Sequence, residues 1–452
     1  MMSSMKLSYI AEEINGVCHG DAEFSHVCTD TRSLQAGDLF LALTGENFNG
    51  NKFIAEAVKQ GASAAVVSEG TNAAIPYVQT KDPRLAYGLI ARINRREFNK
   101  PIIALTGSAG KTTTKEMIAA ILSQGGDVLA TQGNLNNEIG VPLTLLALSP
   151  KHDAAVIEMG ASGKGDIRYL TQFAEPTVAV VTNAMPAHIE GFGSLDNVAI
   201  TKGEIFESLN GGVAVINYDD AYYEQWREQA SNATIVTFSQ LNSSADYYAE
   251  NIQLNNNGVT HFNLVTPQGC VAISLPLLGE HNIGNAIAAA AAAQAVGASL
   301  IDIQHGLSAI EPVSGRLKTY SLPHLTLIDD SYNANPGAVK AAINTLSQFS
   351  GSRCLVLGTM GELGADAELL HIDVAKYAKQ QGIEELLVVG EYGDVMATHF
   401  GEHSKSFASM EILLAELNQD VKADVLLVKG SRSAGMERIV NSLIKNSEKG
   451  NS

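Results

Sequence analysis

The run Pro101-Ile-Ile-Ala-Leu105, followed at once by Thr106-Gly107-Ser108-Ala109-Gly110-Lys111-Thr112, restricts this chain more than any other feature. Five residues led by a proline and otherwise apolar, ending at a glycine-bearing turn, describe a strand buried on both faces, and Thr113–Leu122 reads as the helix that follows. In that order, the turn and the helix N-terminus point backbone N–H groups at an anion. Lys111 is placed to reach the β and γ oxygens of a nucleotide, and the Thr112 hydroxyl to meet Mg2+. The pattern G-x-x-x-x-G-K-[ST] asks for glycine at position 105, where this chain has Leu105, so the loop is a shortened variant whose first glycine is Gly107. The expectation is an enzyme that hydrolyses ATP.

The 452 residues suggest about three domains. Short apolar runs at Leu39–Leu43 and Ala64–Val67 alternate with helical patterns up to the linker at Asn99-Lys100-Pro101, where the proline biases its predecessor away from helix. Beyond the loop, strands are expected at Ala154–Ile157, Thr177–Thr182 and Val213–Ile216, the alternation of a parallel sheet with helices on its faces. Between Ala245 and Leu277 the pattern becomes that of an antiparallel insertion, with strands His261–Val265 and Val271–Leu275 around a turn at Pro267-Gln-Gly269. An alanine-rich helix is expected over His281–Val296. From Ser314 a second alternation begins, with strands at Leu325–Ile328, Cys354–Leu357, Leu386–Val389 and Val425–Val428 and a helix at Ala434–Ile444. This unit has a Rossmann-like pattern without the Gly-x-Gly-x-x-Gly signature, so dinucleotide binding is not expected. The boundaries are 1–99, 100–313 and 314–452.

A net charge of −18 argues against nucleic acid or an anionic membrane as partner, because both call for a cationic surface. Four scattered cysteines offer no metal-type pair or disulfide framework. The N-terminus has no signal-like apolar core, and the apolar stretch Ala286–Ala293 is far short of the ~20 residues of a membrane span. A soluble cytoplasmic protein, monomeric, is expected.

Several residues around the loop carry chemistry, each beside a plainer reading. Glu158 ends the run Ala154–Ile157, where a nucleotide-bound Mg2+ wants a hard oxygen ligand; the alternative is a solvated strand end. His188, in a glycine-rich loop, is a metal ligand or a structural histidine. Lys202 by itself reads as a surface lysine. Asn134, Asn136 and Asn137 suit either turns or ligand recognition. Asp329-Asp-Ser-Tyr-Asn-Ala-Asn-Pro-Gly337 follows the first strand of the last unit, at the crevice end, although Asn335-Pro336 is also a good helix start. Lys429-Gly-Ser-Arg-Ser433 combines two cations with hydroxyls ahead of a helix, which suits a carboxylate or phosphate.

Together these motifs resemble the Mur ligases of peptidoglycan assembly: T-D-T-R at Thr29–Arg32, F-L-A-L-T-G, T-G-S-A-G-K-T, G-N-L-N-N-E-I-G-V-P, A-H-I-E-G-F-G-S, K-G-E-I-F, G-E-H-N-I-G-N-A, S-G-R, D-D-S-Y-N-A-N-P and V-K-G-S-R-S, over nearly the whole chain. The resemblance implies an α/β protein of three domains: an N-terminal α/β domain holding a UDP-linked substrate, a central P-loop ATPase with a parallel sheet and small antiparallel insertion, and a C-terminal Rossmann-like domain bringing the amine. It implies ATP contacts from Thr106 to Thr113, Asn282, Arg316 and Asp330. It gives a first Mg2+ to Thr112 and Glu158, and a second to His188 and a Lys202 carbamylated by CO2. Lys111, Lys202 and His188 are its catalytic residues. Thr31, Arg32, Asn134, Asn136, Asn137, Tyr332, Asn333, Asn335, Lys429, Ser431 and Arg432 are its candidates for substrate contact. The implied substrates are UDP-N-acetylmuramoyl-tripeptide and D-alanyl-D-alanine, joined through an acyl phosphate and a tetrahedral intermediate.

Rival readings differ in class. A sister ligase adding diaminopimelate would carry Asp-Asn-Pro-Arg, absent here, whereas D-D-S-Y-N-A-N-P resembles the dipeptide-adding branch. A folylpolyglutamate synthetase would not place about a hundred residues ahead of the loop. A phosphoryl-transfer kinase would make no amide, and a nucleotide-binding scaffold would show no turnover.

Overall fold

A computed structural model describes residues 4–186, 189–254, 259–419 and 421–450. Three α/β units follow one another along the chain. The first has a five-stranded sheet in the order Val17–His19, Tyr77–Thr80, Ala64–Ser68, Leu39–Leu41, Val27–Cys28. Its last helix, Pro83–Phe98, is started by Asp82, whose carboxylate accepts the backbone N–H groups of Arg84 and Leu85. That helix packs against the second unit: Asn94 Nδ2 donates to the carbonyls of Leu145 and Leu148, and a Cβ at Gly88 would lie 2.4 Å from the Phe173 ring.

The second unit is an all-parallel sheet in the order Val128–Ala130, Ala154–Glu158, Ile102–Thr106, Val178–Val181, Val213–Asn217, Thr234–Phe238. Strand Ile102–Thr106, fully buried, lies between two strands that come later in sequence. Sheet order therefore reverses beside its C-terminal end, the place where an open α/β sheet leaves a crevice for ligand. The antiparallel insertion has three strands, Tyr248–Leu254, Thr260–Thr266 and Gly269–Leu275, of which the first was not anticipated. Along the middle strand Thr260, Phe262, Leu264 and Thr266 are buried and alternate with half-buried residues. Helix His281–Gln294 has Ala286–Ala293 entirely buried, and these small side chains let it lie close against helix Lys111–Leu122.

In the third unit the order is Lys318–Leu322, Leu325–Asp330, Val425–Lys429, Arg353–Gly358, Glu385–Val389, Ser404–Phe407, with only the first pair antiparallel. The final helix starts at Glu437 rather than Ala434, because Gly435 sits at φ 62 between a short 3-10 turn and the helix. Among the described residues no helix is long and apolar enough to cross a membrane.

Candidate active site

The phosphate loop leaves strand Ile102–Thr106 through Gly107 at φ 153 and enters its helix through Gly110 at φ 81. A Cβ would fall 1.9 Å from Thr182 Oγ1 at the first position and 2.4 Å from Asn285 Oδ1 at the second, so glycine is needed at both for room as well as for conformation. The neighbouring strand end holds the loop. Ala109 N–H donates to Asn183 Oδ1 at 2.9 Å, while Asn183 Nδ2 and Thr182 Oγ1 donate to the Ala109 carbonyl at 3.1 and 2.7 Å. Asn183 was not singled out from sequence; its place after a buried strand beside the loop was the available signal. Lys111 Nζ donates to the Gly107 carbonyl at 2.8 Å, folded back over the turn. Burial holds its amine below the ordinary lysine range, against the pull of Glu158 and with help from Arg316.

Glu158 is 2 % exposed, which sets aside the solvated strand end. One carboxylate oxygen accepts from Thr112 Oγ1 at 2.9 Å and the other from Asn136 Nδ2 at 2.8 Å. Its own N–H donates to Thr131 Oγ1 at 3.0 Å, and the Thr131 carbonyl accepts from Lys115 Nζ at 2.6 Å. Lys115, a buried lysine missed from sequence, thus steadies the carboxylate from behind. A hydroxyl, a carboxylate and a carboxamide are hard oxygen donors and fit Mg2+. Among the described residues no three His, Cys, Asp or Glu converge.

Lys202, which read as a surface lysine, is 3 % exposed. It lies on the inner face of helix Leu195–Glu207, its Nζ 5.6 Å from the centre of the Phe192 ring. Burial first, and the charge of Lys111 second, push its amine down to about 7, with Asp166 and Glu204 opposing. Two residues on, buried Glu204 accepts the N–H groups of Gly165 and Arg168 at 2.9 and 3.0 Å and so fastens the turn that carries Asp166. His188 lies outside the described residues.

In the third unit, sheet register sets Asp330 directly beside Lys429, and Lys429 Nζ donates to Asp330 at 2.5 Å and to the Asn333 carbonyl at 2.9 Å. Those two predicted ligand contacts thus meet each other. Asp329 accepts from Gly315 N–H at 2.8 Å and so grips the segment entering this unit. Arg316, next along, stacks on Tyr332 with its guanidinium carbon 4.2 Å from the ring centre, and Arg432 stands at 5.8 Å from the same ring. Asn335 caps helix Pro336–Ser347 by accepting from Ala338 N–H, and Asn137 accepts from Ile139 and Gly140 N–H, so both turn readings hold.

A cleft of about 1190 Å³ joins these parts. Ser108 to Lys111 and Thr113, the three asparagines, Glu158 and Asn282 line it from the second unit. Arg316, Asp330, Tyr332, Asn333, Asn335, Lys429, Ser431 and Arg432 line it from the third. The first unit adds Asp82 and Arg84, neither of them foreseen, with Arg84 reaching Glu138 at 3.4 Å. Thr106, Gly107 and Thr112 stand immediately behind the lining, whereas Thr31, Arg32 and Lys202 are not part of it. Asp30 and Arg32 pair with each other at 2.6 Å.

A phosphate loop at the reversal of a parallel sheet, opening onto walls from two further α/β units, defines a nucleotide-dependent enzyme that brings two other substrates to ATP. The chain belongs to the Mur ligase family: it matches the family's catalytic domain over residues 23–104, the Mur ligase middle domain over 105–293 and the glutamate ligase domain over 315–432. It is 43% identical over 454 residues to the UDP-N-acetylmuramoyl-tripeptide–D-alanyl-D-alanine ligase of Escherichia coli K12, covering 98% of this chain and 99% of that one. A crystal structure of MurF from Acinetobacter baumannii superposes with a TM-score of 0.92 at 35% identity, covering 98% and 99% of the two chains. The MurF ligase of Thermotoga maritima in complex with ADP gives a TM-score of 0.83 at 27% identity, covering 94% and 98%.

Proposed function

We propose that this enzyme joins the terminal carboxylate of UDP-N-acetylmuramoyl-tripeptide to the amine of D-alanyl-D-alanine, driven by conversion of ATP to ADP and phosphate. The observation that carries the reading is the cleft itself, which the phosphate loop lines together with Arg84 of the first unit and Tyr332 and Arg432 of the third. The three units are proposed to span 1–99, 100–313 and 314–452, holding UDP-linked substrate, ATP and amine in that order. A cytoplasmic monomer fits this reading, since a single chain supplies all three walls.

In the proposed reaction the tripeptide carboxylate attacks the γ-phosphorus, ADP leaves, and the amine then attacks the acyl phosphate carbonyl. The tetrahedral adduct collapses to amide and phosphate. Two anions must first approach each other, so positive groups aimed at the phosphoryl oxygens do most of the work. Lys111 and the loop N–H groups hold the β and γ phosphates, Asn282 and Asp330 the rest of the nucleotide, and Arg316 adds its charge from the third unit. Thr112 and Glu158 would hold Mg2+, which when bound with ATP would further neutralise the phosphate charge. A Lys202 amine pushed down to about 7 is substantially neutral at physiological pH, the form that reacts with CO2. A carbamate there, with His188, is proposed as an oxygen and nitrogen pair for a second Mg2+. Thr31 and Arg32 are assigned to the UDP end, Asn134, Asn136 and Asn137 to the tripeptide side, and Tyr332, Asn333, Asn335, Lys429, Ser431 and Arg432 to the wall that receives the dipeptide.

The test is phosphate release from ATP and UDP-N-acetylmuramoyl-tripeptide, with and without D-alanyl-D-alanine. Release that depends on the dipeptide, with amide product by mass, is expected; equal release in both would overturn the assignment.

A further inference from the structure

Strand Val213–Asn217 runs parallel to strand Val178–Val181, so the turn that leaves it, 218–222, lies at the phosphate-loop end of the sheet. Two adjacent aspartates in that turn are tied to different places. Asp219 accepts the Ser239 hydroxyl at 2.6 Å and the Gln240 N–H at 2.8 Å, and so fastens the turn to the neighbouring strand end. Asp220 accepts the Tyr222 N–H at 3.0 Å with one oxygen and the Ala184 N–H at 2.9 Å with the other. A turn of this kind is complete with the Tyr222 contact alone, whereas the Ala184 contact reaches 36 residues back.

Ala184 is the middle residue of the segment that grips the phosphate loop. Before it, Asn183 is bonded to Ala109, and its carbonyl accepts the Ser108 N–H at 3.1 Å. After it, the Met185 N–H donates to the Ser108 hydroxyl at 2.9 Å, and that hydroxyl donates to the Met185 carbonyl at 3.0 Å. Asn217 Nδ2 adds a bond to the Thr182 carbonyl at 2.8 Å. The support is thus layered: one strand end holds the phosphate loop, and the next strand end holds that one. Asp220 is half-buried, and burial pushes its carboxyl above the ordinary carboxylate range, with the Ala184 and Tyr222 N–H groups pulling against it.

We propose that Asp220 is a positioning residue for the nucleotide: it pins Ala184 and thereby sets Asn183 and Met185 against Ser108 and Ala109 of the phosphate loop. Backbone N–H groups bind phosphate only when aimed at it in advance, so a carboxylate that fixes their frame acts on nucleotide affinity without touching the nucleotide. The inference rests on the ATP-dependent reading above and adds to it a residue outside the cleft.

The experiment uses the full chain. D220N keeps the size of the side chain but replaces one acceptor oxygen by a donor, leaving one of the two N–H groups facing another donor. It is expected to raise the ATP KM at least fivefold, with the KM values for the dipeptide and the UDP-linked substrate within twofold. D220E, which restores both acceptors, should recover part of the loss. D219N is the control for a merely structural turn: it should lower the melting temperature as D220N does, yet leave the ATP KM within twofold. An ATP KM within twofold of wild type in D220N overturns the proposal, as does an equal loss in D219N. Hydrogen exchange on the wild type needs no variant to fold. The Ala184 and Ser108 amides should both be protected and should gain protection together when an ATP analogue binds; a freely exchanging Ala184 amide overturns the proposal. Calorimetric titration with the same analogue reads affinity without turnover, so failure of the ligase reading is not confused with failure of this one.

Discussion

Arg316 Nη2 lies 3.4 Å from Thr112 Oγ1, a contact between the segment entering the third unit and the first turn of the phosphate-loop helix. The same guanidinium lies over the Tyr332 ring, so a charge belonging to the third unit stands at the first turn of the phosphate-loop helix. On the proposed reading, ATP chemistry would be tied to the position of that unit, as an enzyme needs when it must not hydrolyse ATP before its acceptor is in place.

Arg316→Ala is expected to lower kcat by a factor of about 10² and raise the ATP KM, with little change in melting temperature. Arg316→Lys should recover only a fraction, since an ammonium neither stacks on Tyr332 nor offers a planar fork. Steady-state kinetics at varied ATP check both; wild-type kcat in the alanine variant would refute the assignment.

Glu158→Gln is expected to raise the Mg2+ concentration for half-maximal activity at least tenfold, because an amide is a poor substitute for a carboxylate ligand. Lys115→Met should move the same requirement less, acting through Thr131, and should also lower the melting temperature by orphaning a buried carbonyl, at about 1–3 kcal/mol. A Mg2+ titration of phosphate release, beside thermal melts, separates the two effects.

Folding lowers the Lys202 amine from 10.5 to about 7, so the unfolded chain binds this proton more tightly. The resulting penalty on the folded state is complete below pH 7 and fades as the pH rises toward 10.5. In CO2-free buffer the wild type is expected to gain roughly 2 kcal/mol of stability between pH 7 and 9 that Lys202→Met does not gain. Melting temperatures across that range give the answer, and parallel curves would exclude a burial-driven shift. Turnover should be abolished in Lys202→Ala and partly rescued by short-chain carboxylates; activity that survives untouched would rule out the carbamate.

Gly110→Ala places a Cβ 2.4 Å from Asn285 Oδ1 on a backbone at φ 81. A cost of about 1–3 kcal/mol and loss of ATP binding are expected together, because the same turn sets the helix N-terminus and the phosphate N–H groups. Calorimetric titration with an ATP analogue tests this, and unimpaired binding would show that the turn tolerates a side chain.

Much of the fold could be read directly from sequence. Strands buried on both faces announce themselves as unbroken apolar runs, which is why Ile102–Thr106, Ala154–Glu158 and Val425–Lys429 were anticipated to within a residue or two. Edge strands do not. Val128–Ala130, Thr234–Phe238, Lys318–Leu322 and Ser404–Phe407 border their sheets; the first is only three residues long, and polar residues interrupt the apolar signal in the other three.

The sequence by itself determined the phosphate loop, the order of the α/β units and the family, because these rest on local patterns and motifs in succession. Tertiary structure decided which of those residues meet. Lys202 reads as an ordinary lysine until helix Leu195–Glu207 is seen to turn it inward. Asp330 and Lys429 are two unrelated charges until sheet register sets them side by side. Lys115 and Asn183 carry no motif at all, and their roles come from what packs against them. Burial, register and pairing are relations between residues far apart in the chain, and no short stretch of sequence contains them.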